Sequence, residues 1–186
     1  IVDLNRQSLD RVVPEVAIDR LVGMFDAAGW HTITVKYGRF LTELFGRRGG
    51  TDLRRRIDEM SNEEFQRLLR SSDAELRQRL PGTGRTRQRV AALVADLDDP
   101  DLRRAIRDLG GHDLDSLLDA YRQADAAVDR PAIVFAYTVK GWRLPTEGHP
   151  ANHSALLNVE QMGLLAADLG ADPDAPWSPL PLASPA

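Results

Sequence analysis

The sequence predicts an α/β fold in which helices flank a parallel sheet. Residues 1–46 alternate between strand and helix patterns, and this rhythm favours parallel strands joined by crossover helices. The near-continuous apolar run at 132–138, introduced by Pro131, is typical of a central parallel strand that is covered on both faces. The 186 residues are sufficient for one domain with a core of its own.

Hydrophobic periodicity predicts the first elements in order. Residues 1–4 form an apolar, strand-like opening. Pro14 marks the start of a helix with one apolar face, and Gly29 marks its end, because glycine adopts the left-handed conformation at low cost. Alternation over 32–37 predicts a second strand, and 39–46 a short helix.

The middle of the chain, residues 51–109, is predicted to be helical. Ser61 and Ser72 each precede a glutamate by three residues, which predicts two capping boxes. Asp113 is expected to cap a further helix. A final helix is predicted over 154–169.

Composition narrows the classes of function. The chain has no cysteine, which excludes disulfides, thiolate catalysis and cysteine-ligated zinc. A net charge of −4 gives no reason to expect nucleic-acid binding. No apolar run reaches the roughly 20 residues that a membrane helix needs, and no signal peptide is recognised, so we expect a cytoplasmic protein without membrane contact. Only two of the 24 basic residues are lysines, Lys36 and Lys140.

Candidate site residues follow the first and last predicted strands, because open parallel sheets bind ligands at the carboxyl ends of their strands. Asn5 offers a carbonyl oxygen of the kind that Mg²⁺ prefers. The alternative is a turn in which Asn5 bonds to its own backbone. Lys140 begins a Gly/Pro/His-rich loop over 140–153 and could reach an anionic ligand as a point charge.

The remaining histidines and the arginine clusters are more ambiguous. His149 and His153 are a weak candidate metal pair, and incidental histidines in a surface loop are the alternative. We interpret His112, which follows two glycines, as a turn residue rather than a catalyst. The arginines at 54–56 and 85–89 are typical of a solvated, ion-paired face, and a docking surface for an acidic partner is the alternative.

Several stretches together resemble one known family. They are LNRQSLD at 4–10, FDAAGW at 25–30, AALVAD at 91–96, GGHD at 110–113, YTVKGW at 137–142, and then Glu147-Gly148 and His153. In this order and rough spacing, over about residues 1–165, they resemble the thiamine-diphosphate-binding half of the transketolase-like superfamily. The likeness is strongest to the homodimeric pyruvate dehydrogenase component of 2-oxo acid dehydrogenase complexes.

This resemblance implies a domain organisation and two cofactors. Residues 1–170 would be part of a diphosphate-binding domain with a helical insertion at about 50–110. Residues 171–186, which contain five prolines, would be a linker or tail. The implied cofactors are thiamine diphosphate and magnesium.

The resemblance also implies roles for individual residues. The residue matching Asn5 ligates magnesium through its side chain, and the one matching Gln7 does so through its backbone carbonyl. Leu9 and Lys140 are implied to bind the cofactor. Lys140 lies near cofactor and substrate in pyruvate dehydrogenases. His153 belongs to a mobile loop and assists transfer of the acyl group to a lipoyl arm, so Lys140 and His153 are the implied catalytic residues.

The implied reaction is oxidative decarboxylation of a 2-oxo acid, pyruvate in the closest likeness, with acyl transfer to a lipoyl-bearing acyltransferase. A transketolase or another thiamine-diphosphate enzyme is the alternative, and an interaction module without activity is a third reading. The sequence departs from the family between Gly141 and Glu147, where it is about two residues shorter. The family's Gly-Asp-Gly motif and its activating glutamate are not among these residues. We therefore expect the chain to be either a segment of a longer protein or one piece of a split enzyme, which acts as a homodimer or with a partner subunit that carries the missing domain.

Overall fold

Three parallel strands form the sheet of this protein in the computed structural model, which describes residues 1–13, 18–172, 174–175 and 177–179. The strands are β1 (Val2–Leu4), β4 (His31–Val35) and β5 (Ala132–Tyr137), in the order β1-β5-β4. A separate hairpin pairs β2 (Gln7–Ser8) with β3 (Arg11–Val12). The predicted parallel sheet with flanking helices is confirmed.

The central position of β5 follows from its sequence. Its four middle residues are buried, and Phe135 is completely enclosed. β5 pairs with β1 through Leu4 opposite Tyr137, and with β4 through Val35 opposite Ala136. A continuous apolar run suits a strand that has a neighbour on each edge and cover on each face.

Helices account for most of the remaining described residues. They are α1 (Ile18–Ala27), α2 (Arg39–Phe45), α3 (Gly50–Asp58), α4 (Asn62–Leu69), α5 (Asp73–Arg79), α6 (Arg87–Ala95), α7 (Asp99–Arg107), α8 (Leu114–Ala126) and α9 (Val159–Leu169). Short 3₁₀ turns lie at Gly110–His112 and Pro150–His153. The predicted helix start at Pro14 lies outside the described residues. Gly29 follows α1 with φ of +82°, as predicted.

Residues 39–109, here called the helical region, contain α2 to α7 and the larger of two apolar cores. Side chains from all six helices enter this core, with Leu41, Leu76 and Leu102 completely enclosed. The sheet contributes a smaller cluster with α8, made by Ile33, Val35, Ala120 and Val134. The prediction of helices over 51–109 is confirmed. That they form an insertion stays a prediction.

The helix ends match most of the predicted caps. Ser72 and Glu75 form a complete capping box, and the Asp113 side chain accepts from Ser116 N at the start of α8. Ser61 accepts from Glu64 N, but the box is incomplete because the Glu64 carboxylate is bound by Arg56.

Two predicted boundaries were wrong. The last helix begins at Val159 instead of 154, because Asn158 and Gln161 form a capping box there. The strand predicted over 32–37 ends at Val35, and Tyr37 instead makes an isolated bridge with Leu109. Most of the predicted tail, 172–186, lies outside the described residues.

The interpretation of the first arginine cluster as ion-paired is confirmed. Arg54 contacts Asp58, Arg55 contacts Asp52, and Arg56 contacts Glu64. In the part of the chain that the structure describes, no helix is both long enough and apolar enough to cross a membrane.

Candidate functional site

The loops that follow β1 and β5 meet at one edge of the sheet. We call residues 5–10 and 138–154 the strand-end loops. β1 and β5 are adjacent and parallel, so both loops leave the same edge. Gln7 Nε2 donates to His149 O at 3.1 Å, and Ser154 N donates to Asp10 Oδ1 at 3.0 Å. The structure therefore brings together the two strand ends that the sequence singled out.

The side chain of Asn5 is oriented by Asp3. Asn5 Nδ2 donates to Asp3 Oδ2 at 2.7 Å, and a carboxylate can only accept, so the amide orientation is determined. Asn5 Oδ1 accepts from Gln7 N at 2.9 Å, which is the turn expected as the alternative for this residue. An amide oxygen has two lone pairs, so Oδ1 keeps one for a further partner. Thr138 holds the other carboxylate oxygen of Asp3.

The backbone around Gln7 leaves its carbonyl outside the hairpin ladder. Val13 N donates to Arg6 O at 2.9 Å. Antiparallel ladders alternate between hydrogen-bonded and non-bonded pairs, so the next pair, Gln7 with Val12, is a non-bonded one. The Gln7 carbonyl consequently faces away from β3. Arg6 and Leu9, at the two ends of β2, have φ of +63° and +50°, a strained conformation for residues other than glycine.

The helical region holds this turn through Gln66, a residue that sequence reasoning missed. Gln66 is only 2% exposed. Its Nε2 donates to Asn5 O at 3.3 Å, and its Oε1 accepts from Gln7 Nε2 at 3.2 Å. Gln7 Oε1 is buried and has no partner among the described residues. The only signal in the sequence was a glutamine within the apolar face of α4.

Lys140 and His153 lie side by side in the second loop. Lys140 Nζ is 3.0 Å from His153 Nδ1. An ammonium group can only donate, so Nδ1 accepts and the neutral imidazole carries its proton on Nε2. Asn152 Nδ2 donates to Lys140 O at 2.6 Å. Gly141 has φ of +67°, and a Cβ there would lie 2.5 Å from Asn152 Nδ2, so this contact requires glycine.

His112 holds the residue before Lys140 in place. Val139 N donates to His112 Nε2 at 2.8 Å, and the imidazole stacks on Trp142 with ring centroids 4.5 Å apart. Burial lowers the pKa of His112, and Glu147 and Asp3 oppose this shift. The neutral ring is therefore a hydrogen-bond acceptor within a 3₁₀ turn, in agreement with our interpretation of His112 as a turn residue.

The second loop is also fastened to the helical region. The Glu147 carboxylate accepts from Arg107 Nε of α7 and from Arg143 N at 2.8 Å. Arg107 Nη2 donates to Leu69 O at 2.5 Å. Arg107 was not singled out in the sequence, because its contact with Glu147 joins residues 40 positions apart.

The structure does not favour His149 and His153 as a metal pair. His149 Nδ1 accepts from Ala151 N at 3.1 Å, and His153 Nδ1 faces Lys140. Within the described ranges, no three His, Cys, Asp or Glu side chains are grouped to hold a metal ion. The two ligands implied by the resemblance, Asn5 Oδ1 and the Gln7 carbonyl, are neutral oxygens of the kind that suits a hard cation.

Leu9 lies at the exposed tip of the hairpin. Its side chain is 67% exposed, although it is a large apolar residue in a strained turn. Asp10, beside it, is bound to Ser154, so the tip is adjacent to the segment that carries His153. Packing in the apolar core therefore does not account for a leucine at the hairpin tip.

Known proteins of one name match this chain. No protein-family model matches it. The pyruvate dehydrogenase E1 component of Pseudomonas aeruginosa is 32% identical over 144 residues, 76% of this chain and 16% of that protein. The Corynebacterium glutamicum protein of the same name is 31% identical over 157 residues, 82% of this chain and 16% of its own length. The one from Escherichia coli K12 is 28% identical over 76% of this chain and 16% of its own length.

The chain thus spans about one sixth of the length of these curated relatives. The name of these relatives agrees with the family that the ordered stretches from LNRQSLD to His153 resemble. This chain is related to the pyruvate dehydrogenase E1 component and corresponds to part of that protein's length.

Proposed function

We propose that this chain supplies part of the thiamine diphosphate site of a pyruvate dehydrogenase-type enzyme. The observation that carries the proposal is the contact between the two strand-end loops, through Gln7 with His149 and Asp10 with Ser154. These contacts place the Asn5 turn beside the segment that carries Lys140 and His153. Relatives named pyruvate dehydrogenase E1 component support the same assignment.

The residues of the first loop fit a magnesium diphosphate. Mg²⁺ prefers octahedral oxygen ligands and completes its shell with water and phosphate oxygens. Asn5 Oδ1 has an unused lone pair, and the Gln7 carbonyl lies outside the hairpin ladder. Because both ligands are neutral, an acidic ligand is expected from another part of the protein or from a partner subunit. Leu9 would contact the cofactor from the exposed hairpin tip.

The second loop would bind the substrate and move a proton. Bound thiamine diphosphate supplies the electron sink that decarboxylation of a 2-oxo acid requires. The Lys140 ammonium offers a positive charge to an anionic group of substrate or cofactor. His153 presents Nε2–H while Lys140 occupies its Nδ1, so Nε2 is the atom that would give and take a proton during acyl transfer to a lipoyl group.

The proposal extends to partners. The substrate would be a 2-oxo acid, pyruvate in the first instance, and the acyl acceptor a lipoyl-bearing acyltransferase. A homodimer or a second subunit would complete the site. The transketolase alternative gains no support, because the relatives compared above carry the pyruvate dehydrogenase name.

The test uses the complete enzyme that contains this chain. We expect pyruvate-dependent release of CO₂, with an artificial electron acceptor, that requires both thiamine diphosphate and Mg²⁺. His153→Ala should lower acetylation of a lipoyl domain by roughly 10²-fold or more, the scale of a lost general acid–base group. His31→Ala is the matched control, because His31 begins β4 at the opposite edge of the sheet, and it should change acetylation less than about twofold. No cofactor-dependent decarboxylation of any 2-oxo acid would refute the proposal.

A further inference from the structure

A cavity lies within the helical region, apart from the strand-end loops. Its volume is about 680 Å³, which is within the range of small-molecule sites. α4, α5 and α6 contribute one arginine each to its wall, namely Arg67, Arg79 and Arg87. None of the residues lining it belongs to the strand-end loops.

Many arginines of the helical region are paired with a carboxylate, whereas the three at this cavity share one wall without such a partner in the described part of the chain. Arg54, Arg55, Arg56, Arg77, Arg89, Arg103, Arg104 and Arg107 all form ion pairs. No described carboxylate pairs with Arg67, Arg79 or Arg87. Arg79 Nε is also buried without a hydrogen-bond partner among the described residues. A buried donor attached to a charged group is costly to leave unpaired, so the cavity lacks an acceptor.

The charges at the cavity wall are not balanced. Glu64 lines the cavity, but Arg56 binds both of its carboxylate oxygens. Glu63 is then the carboxylate left to oppose three guanidinium groups. α6 also begins here at Arg87, and Thr86 makes no side-chain hydrogen bond to its first turn. The positive end of that helix therefore adds to the attraction for an anion.

We propose that this cavity binds a small molecule through a phosphate or diphosphate group. Three guanidinium groups around one cavity match an oxyanion with three or more oxygens better than a planar carboxylate with two. The excess of positive charge matches a dianion. The size of the cavity favours a compact ligand over an extended acidic peptide. This inference is independent of the proposed function.

The first test compares two arginines that are two residues apart. Both side chains are exposed, but Arg87 lines the cavity and Arg85 does not. Inorganic pyrophosphate is titrated into the chain by calorimetry, with EDTA present so that no metal-dependent site can bind it. Arg87→Gln should weaken binding by about tenfold, the loss expected for one charge-assisted hydrogen bond. Arg85→Gln carries the same change of charge and should weaken it less than twofold.

A second measurement, of NMR chemical shifts, locates the pyrophosphate on the protein. In ¹⁵N-labelled protein, the largest pyrophosphate-induced shifts should be at Gly82, Thr83 and Arg87, and Arg79→Gln should reduce them. Should Arg79→Gln fail to fold, the Arg87 and Arg85 variants still decide the outcome. Equal weakening by both of those variants would overturn the proposal, as would absence of binding up to about 10 mM. Binding of an acidic peptide without binding of pyrophosphate would overturn it as well.

Discussion

The helical region and the strand-end loops are built in opposite ways. The helical region buries most of its large apolar side chains and caps three of its helices with Ser61, Ser72 and Asp98. The strand-end loops contain the three described non-glycine residues with left-handed backbone, which are Arg6, Leu9 and Arg143. They also contain two of the three buried side-chain polar atoms that have no partner among the described residues, on Arg6 and Gln7, and the third is Arg79 Nε at the cavity of the helical region. Backbone strain and unpaired polar atoms are concentrated in the strand-end loops, where the position of the candidate site residues matters more than the stability of the fold.

The comparison also shows how the two regions depend on each other. Gln66 of α4 holds the first loop, and Arg107 of α7 holds the second through Glu147. Arg6 lies over the ring of Phe65, 3.9 Å from its centroid. The helices thus act as a rigid support to which the strained loops are attached.

The largest effect is expected in the core of the helical region. Leu102 is 0% exposed, so Leu102→Ala should lower the free energy of unfolding by about 2–5 kcal/mol, because it leaves a cavity. Leu164 of α9 is 64% exposed, and Leu164→Ala should cost less than about 0.5 kcal/mol. Urea denaturation measures both. Similar losses in the two variants would break the distinction between a packed and an open part of the molecule.

The next effect tests the attachment of the first loop. Gln66→Leu keeps the packing volume but removes the partners of Asn5 O and Gln7 Nε2. We expect a loss of about 1–3 kcal/mol in unfolding free energy and faster hydrogen exchange at the Gln7 amide. Gln88→Leu, at an exposed glutamine of α6, is the control. An unchanged exchange rate at Gln7 would show that the helical region does not hold the loop.

A smaller effect is expected from two left-handed glycines. Gly141→Ala and Gly84→Ala both place a Cβ at positive φ, which costs about 1–2 kcal/mol. The added Cβ meets Asn152 only at Gly141, whereas nothing lies within 4 Å of it at Gly84. Thermal unfolding should therefore show the greater loss for Gly141→Ala. Equal losses would mean that Asn152 moves away freely and does not hold Lys140.

The smallest effect concerns pH. Burial lowers the pKa of His112 in the folded state, so the unfolded chain takes up the proton more readily. The contribution of the neutral His112 ring to the free energy of unfolding is therefore complete above its ordinary pKa of about 6.5, and it is lost as the pH falls below that value. His112→Gln should reduce the fall in unfolding free energy between about pH 7 and 5. An identical pH profile in the variant would show that the neutral ring has no such role.

Local patterns predicted the fold better than they predicted the site. The apolar run that became β5 and the Ser72 capping box could be read because each depends on neighbours in sequence. The start of α9 was equally local, in the Asn158 and Gln161 pair, and was overlooked.

The supporting residues of the site could not be read in this way. Gln66 acts on a loop 61 positions away, and His112 on one 27 positions away. Their roles arise only when β1 and β5 pair and α4 packs beside them. Asp3 could have been noticed in the sequence as an acid two residues before Asn5. Its orientation, however, depends on the hydrogen bond from Thr138, which is distant in sequence. Asn5 and Lys140 were candidates because each follows a predicted strand, but their roles, and that of His153, came from the family resemblance.

The most direct test of the central claim is the thiamine diphosphate concentration that half-saturates pyruvate decarboxylation by the complete enzyme, at fixed Mg²⁺. In an Asn5→Ala variant we predict that it rises by at least about tenfold, since removing even a supporting residue of a metal site has an effect of this size. Asn158→Ala, at the cap of α9, should leave it unchanged. The same half-saturating concentration in Asn5→Ala and in the unmodified enzyme would contradict the assignment of a cofactor site to the strand-end loops.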